Sequence, residues 1–417
     1  MLNKQSTLSL MSHPSVYQAI VSPLLPLLRE EVAQLKSDDY SLSLYCFSMN
    51  LCYAIIAGIR SIRLLITEAK TSKDAQEAGI TLASPSMYSE AFCRYDPLVF
   101  KRLFFGLLDQ LSFKEIPEIN ALGRFILMDG SIFPAIKTME WASYKQTANG
   151  IKLHLSFELN RMIPVQFIST DANGSEKKAL QSLLEKGTTY IADRGYIAFA
   201  LFEQIEKQSA FFIIRVKSNM GYTVQNAVSI QLPENWQKHL SKVTDSHILF
   251  TGDQQKNSYR LITFKALGET YRIATNRFDL QTHEIIMLYA YRWQIELFFR
   301  CIKRCFNGLH LWTHHQKGIE IQFYLYLITY LLLLNFKQRS HDQLDEPETT
   351  EEAVARAKPT KKKPMNTVTR TPECGIVTLL GDKLKGIWKI GIHWLKAVKN
   401  CLASPWDLET IKLLNSV

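Results

Sequence analysis

Three acidic residues carry the chemistry that this chain is best placed to perform. Asp129 closes the apolar run RFILM and is followed by Gly130 and Ser131, and Asp193 closes TTYIA in the same way, ahead of Arg194, Gly195 and Tyr196. A carboxylate at the end of an otherwise buried strand is costly unless a cation or hydrogen-bond donors meet it. Two such aspartates in one sheet can converge on a metal ion, and each alone can equally be a turn residue or an N-cap. The third acid, Glu296, lies in MLYAYRWQIELFFRCIKRCF. At ~100° per residue, Tyr289, Arg292, Glu296 and Lys303 fall within about 60° of one another on one continuous helix, and Arg300 joins the stripe. Leu288, Tyr291, Ile295, Phe298 and Ile302 form an apolar face on the other side, suited to packing on a sheet. An exposed helix with ion pairs from Glu296 to Arg292 or Arg300 explains part of the stripe. It leaves the tyrosine and the excess of cations without a role, whereas a phosphodiester backbone along the helix gives a role to both.

The elements that must position these residues are legible from hydrophobic periodicity. The 417-residue chain, 47% hydrophobic and 21% charged, is long enough for two to four domains. Residues 1–115 read as a helical N-terminal domain, and SPSMYSEAFCRYDP, placed between helices, is a candidate helix-turn-helix for DNA or a scaffold segment. From Arg124 the pattern becomes RFILMDG, GIKLHLSFEL and MIPVQFIST, expected as three adjacent antiparallel strands. A helix to about Lys186, the strand TTYIAD, the helix IAFALFEQIEK and the strand AFFIIRVK follow. The order βββαβαβ over residues 120–217 specifies an α/β fold with a mixed sheet flanked by helices. Residues 218–280 read as a β-rich insertion that interrupts the core. Residues 281–337 read as helices, a long one from Thr282 to about Phe306 carrying Glu296 and an apolar one near 319–336. An acidic block and then a basic one make 338–372 a charged linker, and helical periodicity returns over 373–417.

Composition narrows the setting. Lysine and arginine total 49 against 39 aspartates and glutamates, a net +10 that favours a polyanionic partner. The seven cysteines are odd in number and contain no CxxC pair, which points to a reducing compartment without a zinc site; Cys301 and Cys305, four apart, read as packing residues. The N-terminus carries no secretory pattern, and the apolar stretch Phe323 to Leu334 is shorter than a bilayer span of about 20 residues. The expectation is a cytoplasmic, nucleoid-associated protein with no membrane partner.

The spacing Tyr289-x2-Arg292-x3-Glu296-x6-Lys303 resembles the YREK signature of transposases of the insertion-sequence-four group. FILMDGS, GIKLHLSFEL, YIADRGY and FFIIRVKSN are similar to that group's first strand, following strand, second acidic strand and fifth strand, so the likeness covers roughly residues 120–335. The resemblance implies a ribonuclease-H-like core with a β-rich insertion before the helix bearing the catalytic glutamate. It implies a catalytic, metal-binding triad of Asp129, Asp193 and Glu296 holding two Mg²⁺ ions, with Mn²⁺ able to substitute. It also implies that Tyr289, Arg292 and Lys303 grip phosphates of double-stranded DNA, at element ends and target, in a homodimeric cut-and-paste complex. Lys152 and His154 on the strand after Asp129, and Arg215 and Lys217 at the sheet's end, are further candidates for DNA contact or ordinary strand-surface residues. Some relatives stack a tryptophan of the insertion on a flipped base, and Trp236 is the tryptophan of that region here. Two alternatives stand beside this reading. One is a catalytically inactive, transposase-derived DNA-binding protein; the other is a hydrolase using Asp129 and Asp193 as acid and base, which gives the helix stripe no role.

Overall fold

The apolar runs in the middle of the chain assemble into a single ten-stranded sheet in the computed structural model, which describes residues 16–135, 139–145, 148–237, 240–266, 268–305 and 311–344. The chain divides into two units, one from the N-terminal residues to Phe113 together with the chain from Ile321, the other beginning at Lys114 and running to Glu320.

The first unit is helical. Its elements are α1 (Val16–Val21), α2 (Leu24–Gln34), α3 (Leu44–Ala57), α4 (Ile62–Thr71), α5 (Lys73–Glu77), α6 (Pro85–Arg94) and α7 (Pro97–Gln110). Ser43, Ser61, Ser72, Ser84 and Asp96 each accept a first-turn backbone N–H, and Gly58 closes α3 in the left-handed region at φ 65°. The segment expected between helices is itself α6, because Ser84 and Pro85 start a helix there and Asp96 with Pro97 starts the next. Phe47 packs edge-on against Phe92 at 5.0 Å and against Phe100 at 6.2 Å, and Arg102 clamps Glu31 at 2.6 Å.

The second unit contains, in chain order, α8 (Pro117–Asn120), β1 (Arg124–Ala135), β2 (Ser143–Lys145), β3 (Ala148–Glu158), β4 (Ile163–Asp171), α9 (Glu176–Gln181), β5 (Thr188–Ala192), α10 (Phe199–Lys207), β6 (Phe211–Arg215), β7 (Tyr222–Ala227), α11 (Glu234–Gln237), β8 (Ser241–Phe250), β9 (Ser258–Ala266), β10 (Glu269–Thr275), α12 (Thr282–Ala290) and α13 (Trp293–Cys305). The expected order βββαβαβ is present, with the short β2 added. β3 lies antiparallel between β1 and β4, while β5 runs parallel to both β1 and β6. This mixed sheet with its flanking helices fits the expected ribonuclease-H-like core.

Strand alternation gives the sheet two differently used faces. Ile126, Met128, Tyr190, Ala192, Phe212 and Ile214 point into one core, closed by Leu180 of α9 and by Leu201, Phe202 and Ile205 of α10. The other face meets α13: Phe133 lies 6.5 Å from Phe299 and Phe157 lies 5.2 Å from Phe298.

Four expectations are corrected. β1 does not stop at Asp129 but continues to Ala135, because the eleven-residue β3 supplies backbone partners along its whole length, from Ile126↔Glu158 to Ala135↔Asn149. The stretch after residue 217 does not interrupt the core. Its strands prolong the same sheet, with β10 antiparallel to β6 and then β9, β8 and β7 in sequence. The long helix from Thr282 is two helices, broken at Tyr291 and Arg292. The apolar helix runs further than expected, as α14 (Gln316–Leu344), and so takes in the first residues assigned to the linker. Its Gln316–Phe336 portion is long and apolar enough to cross a membrane by length and composition, and most of it is buried inside the chain as a core helix would be. The rest of the linker, the segment 373–417 and the side chains of Cys301 and Cys305 lie outside the described residues.

Candidate active site

Strand register brings the two aspartates together. Met128 of β1 pairs with Ala192 of β5 in the last matched position of that parallel ladder, so Asp129 and Asp193 take the next position on neighbouring strands, which are ~4.8 Å apart. Asp193 keeps an extended backbone at φ −89°, ψ −176°. The Gly130 N–H donates to Asp129 Oδ1 at 2.8 Å. Burial pushes the Asp129 carboxyl up to about 6; Arg292 and the Gly130 N–H oppose that rise, and Glu296 and Glu176 add to it.

The helix break sets the remaining groups. Around it the backbone bonds shorten to three-residue turns, Arg292 N–H to Tyr289 O at 3.1 Å, Gln294 N–H to Tyr291 O at 2.9 Å and Ile295 N–H to Arg292 O at 3.3 Å. No proline or glycine lies in this stretch. Tyr289 and Arg292 are only 3% and 8% exposed, so the start of the stripe is turned inward, while Glu296 and Arg300 are half-buried and Lys303 is exposed. Arg292 Nη1 meets Glu296 Oε1 at 2.7 Å, and its guanidinium carbon lies 5.9 Å from the centre of the Tyr289 ring. Burial acts to discharge Arg292, but Tyr289, Glu296, Asp193 and Asp129 outweigh it and hold the guanidinium charged. One cation is thus within electrostatic reach of all three acids. The Tyr289 hydroxyl donates to Asp193 Oδ1 at 3.4 Å, and burial pushes its own pKa up to about 12. Lys303 Nζ donates to Ser131 Oγ at 2.7 Å and sits 4.9 Å from the Phe133 ring centre; burial lowers its pKa and Asp129 raises it. Arg300 lies over the Trp293 ring at 5.2 Å.

The other sequence candidates are placed as follows. Lys152 pairs with Glu176 at 2.7 Å, its side chain 13% exposed. His154 is buried with Nε2 3.0 Å from Thr170 Oγ1, and burial pulls its pKa down to about 4. Arg215 lies over the Tyr271 ring at 4.5 Å, and Lys217 is exposed just beyond β6. Trp236 is 4% exposed and packs edge-on against His283 at 5.8 Å, so its indole is covered rather than presented to a base. Sequence reasoning missed Glu176. Its only signal was Ser175-Glu176 at a helix start, which reads as ordinary capping, and Ser175 does accept the Lys178 N–H there.

The donor chemistry of Asp129, Asp193 and Glu296, oxygen throughout, fits a hard divalent cation. Among the described residues no three His, Cys, Asp or Glu side chains are gathered closely enough to hold an ion, and Glu296 is turned to Arg292.

The chain is similar to proteins named as transposases. The family model described as the transposase DDE domain matches residues 120–332. The chain is 30% identical over 250 residues to y4zB of Sinorhizobium fredii, a protein named as a transposase, covering 59% of this chain and 69% of that protein. It is 24% identical over 199 residues to a protein of Geobacillus stearothermophilus named as the transposase for insertion sequence element IS5377, covering 47% and 52%. It is also 24% identical to the transposase for insertion sequence element IS231F of Bacillus thuringiensis subsp. israelensis, covering 62% and 67%.

Proposed function

The chain belongs to the transposase DDE-domain family, and from that membership we propose that it is the transposase of a bacterial insertion sequence. It binds the terminal inverted repeats and cuts and rejoins double-stranded DNA by a cut-and-paste route, acting in the cytoplasm on nucleoid DNA as a homodimer on paired element ends. The observation that carries this reading is the register that sets Asp129 beside Asp193, with Arg292 reaching from them to Glu296.

Asp129, Asp193 and Glu296 are the catalytic residues and would hold two Mg²⁺ ions, or Mn²⁺, which when bound supply Lewis-acid activation of the attacking oxygen and stabilisation of the leaving one. Glu296 exchanges Arg292 for that duty, which frees the Arg292 fork for a bidentate grip on a phosphate beside the scissile bond. Tyr289 holds the Asp193 carboxylate by its hydroxyl. Lys303, resting on Ser131 two residues past Asp129, offers a point charge to the next phosphate. Arg300, Arg215 and Lys217 extend the basic track, with Arg215 steadied by Tyr271. These contacts position DNA without reading its sequence.

Nicking of DNA carrying the cognate element ends, compared with and without Mg²⁺, tests the proposal. Binding to those ends with no cutting in either Mg²⁺ or Mn²⁺ would instead support a DNA-binding protein that has lost catalysis.

A further inference from the structure

We infer that Glu176, held by Lys152, is a positioning residue that braces the backbone just after Asp129, inside β1, and just after Asp193, beyond β5. The inference rests on the proposed triad and concerns a residue outside it.

Each aspartate is followed closely by a glycine, Gly130 and Gly195, and the Glu176 carboxylate reaches both. A Cβ added at Gly195 would lie 2.2 Å from Glu176 Oε2, and one added at Gly130 would lie 3.2 Å from Glu176 Oε1 and 2.8 Å from Lys152 Cε. Any larger residue at 195 must therefore displace either the backbone or the carboxylate. Neither glycine has a positive φ, so close approach and not backbone conformation is what calls for glycine here.

The carboxylate is itself fixed. Lys152 Nζ meets Glu176 Oε1 at 2.7 Å, with the two side chains 13% and 24% exposed. Lys152 projects from β3, whose register places it opposite Ile132 and places His154 opposite Gly130. Glu176 begins α9, which leads into Leu180 of the core under the sheet. A single ion pair thus joins β3 to α9 and sets the Glu176 carboxylate against Gly130 within β1 and against Gly195 in the turn after Asp193. Tyr196, directly after Gly195, is 1% exposed with a hydroxyl that has no hydrogen-bond partner among the described residues, and it feels the charges of Asp129 and Glu176.

The test is Mn²⁺ binding to the full chain, followed by electron paramagnetic resonance, for Glu176→Ala, Gly195→Ala, their combination and Asp129→Ala, with the thermal midpoint of each recorded. Residues that orient metal ligands typically control affinity by about 10–100-fold, so Glu176→Ala and Gly195→Ala are each expected to weaken Mn²⁺ binding at least about tenfold. The combined variant is expected to bind no more weakly than Glu176→Ala alone, because the obstruction at Gly195 vanishes with the carboxylate. Lys152→Met is expected to follow Glu176→Ala, and Lys152→Arg to bind like the parent. Glu176→Gln keeps the volume and carries the same comparison where alanine unfolds the chain. Binding within twofold of the parent for both Glu176→Ala and Glu176→Gln, or independent losses that multiply in the combined variant, would overturn the inference. Parent-like binding by Asp129→Ala would instead overturn the triad on which it rests.

Discussion

Arg292 and Glu296 meet at 2.7 Å at the point where the chain restarts its helix after Tyr291. The guanidinium stands where it compensates three acids at once, doing for the chain alone what a bound cation would do. Removing one partner of a buried pair typically costs about 3–5 kcal/mol, and Glu296 is partly open to water, so Arg292→Ala is expected at the lower end, about 3 kcal/mol. Saturating Mn²⁺ should return part of that loss by binding the folded form. Denaturant titration in EDTA and in Mn²⁺ checks this; an equal loss in both would mean that Arg292 and the ion do not address the same carboxylates.

Much of the candidate site is legible in the sequence, and the parts that are not have physical causes. Asp129 and Asp193 were recognisable because an acid closing an apolar run is expensive. Their adjacency depends on the pairing of Met128 with Ala192, and strand register is a tertiary property. The stripe Tyr289, Arg292, Glu296 and Lys303 was legible from helical spacing, but the break was not, since no proline or glycine marks it. The burial of Tyr289 and Arg292 is not legible either, because charged side chains suggest a solvated face. The strands after residue 217 looked like an interruption because β7 is exposed throughout and breaks the apolar pattern, although hydrogen bonding carries the sheet through β10 to it. Glu176 was hidden because its partners, Lys152, Gly130 and Gly195, lie far from it or in separate motifs.

Tyr289→Phe should separate catalysis from folding. The lost hydroxyl makes a long bond to Asp193 and interacts with the Arg292 guanidinium, so the stability change is expected to stay within about 1.5 kcal/mol. Single-turnover cleavage is expected to fall roughly tenfold, the size of about 1.4 kcal/mol in a barrier. Unchanged cleavage would remove Tyr289 from the positioning of Asp193.

Lys303→Ala should weaken DNA binding to a similar degree for any sequence. If its ammonium leaves Ser131 for a phosphate, the slope of log affinity against log salt falls by about 1. Fluorescence anisotropy with two unrelated duplexes over a salt series measures both quantities, and an unaltered slope would exclude the phosphate contact.

His154 gives a pH dependence with a definite sign. Burial holds it neutral with a pKa of about 4, whereas histidine in an unfolded chain titrates near ~6.5. The unfolded form therefore takes the proton first as the pH falls. The contribution is full above about 6.5 and is lost through about 4, roughly 3 kcal/mol in all. Urea denaturation at about pH 7 and pH 4.5 should show a shallower fall for His154→Gln than for the parent, and parallel curves would contradict a neutral buried imidazole.

The central claim is tested most directly by Mg²⁺-dependent cleavage of element-end DNA by Asp129→Asn, Asp193→Asn and Glu296→Gln beside the parent chain. Each substitution is expected to lower the cleavage rate by at least about a thousandfold, the loss of about 4 kcal/mol of transition-state stabilisation, while the chain remains folded and still binds the DNA. Parent-like cutting by any one of the three would contradict the assignment of Asp129, Asp193 and Glu296 as a single catalytic centre.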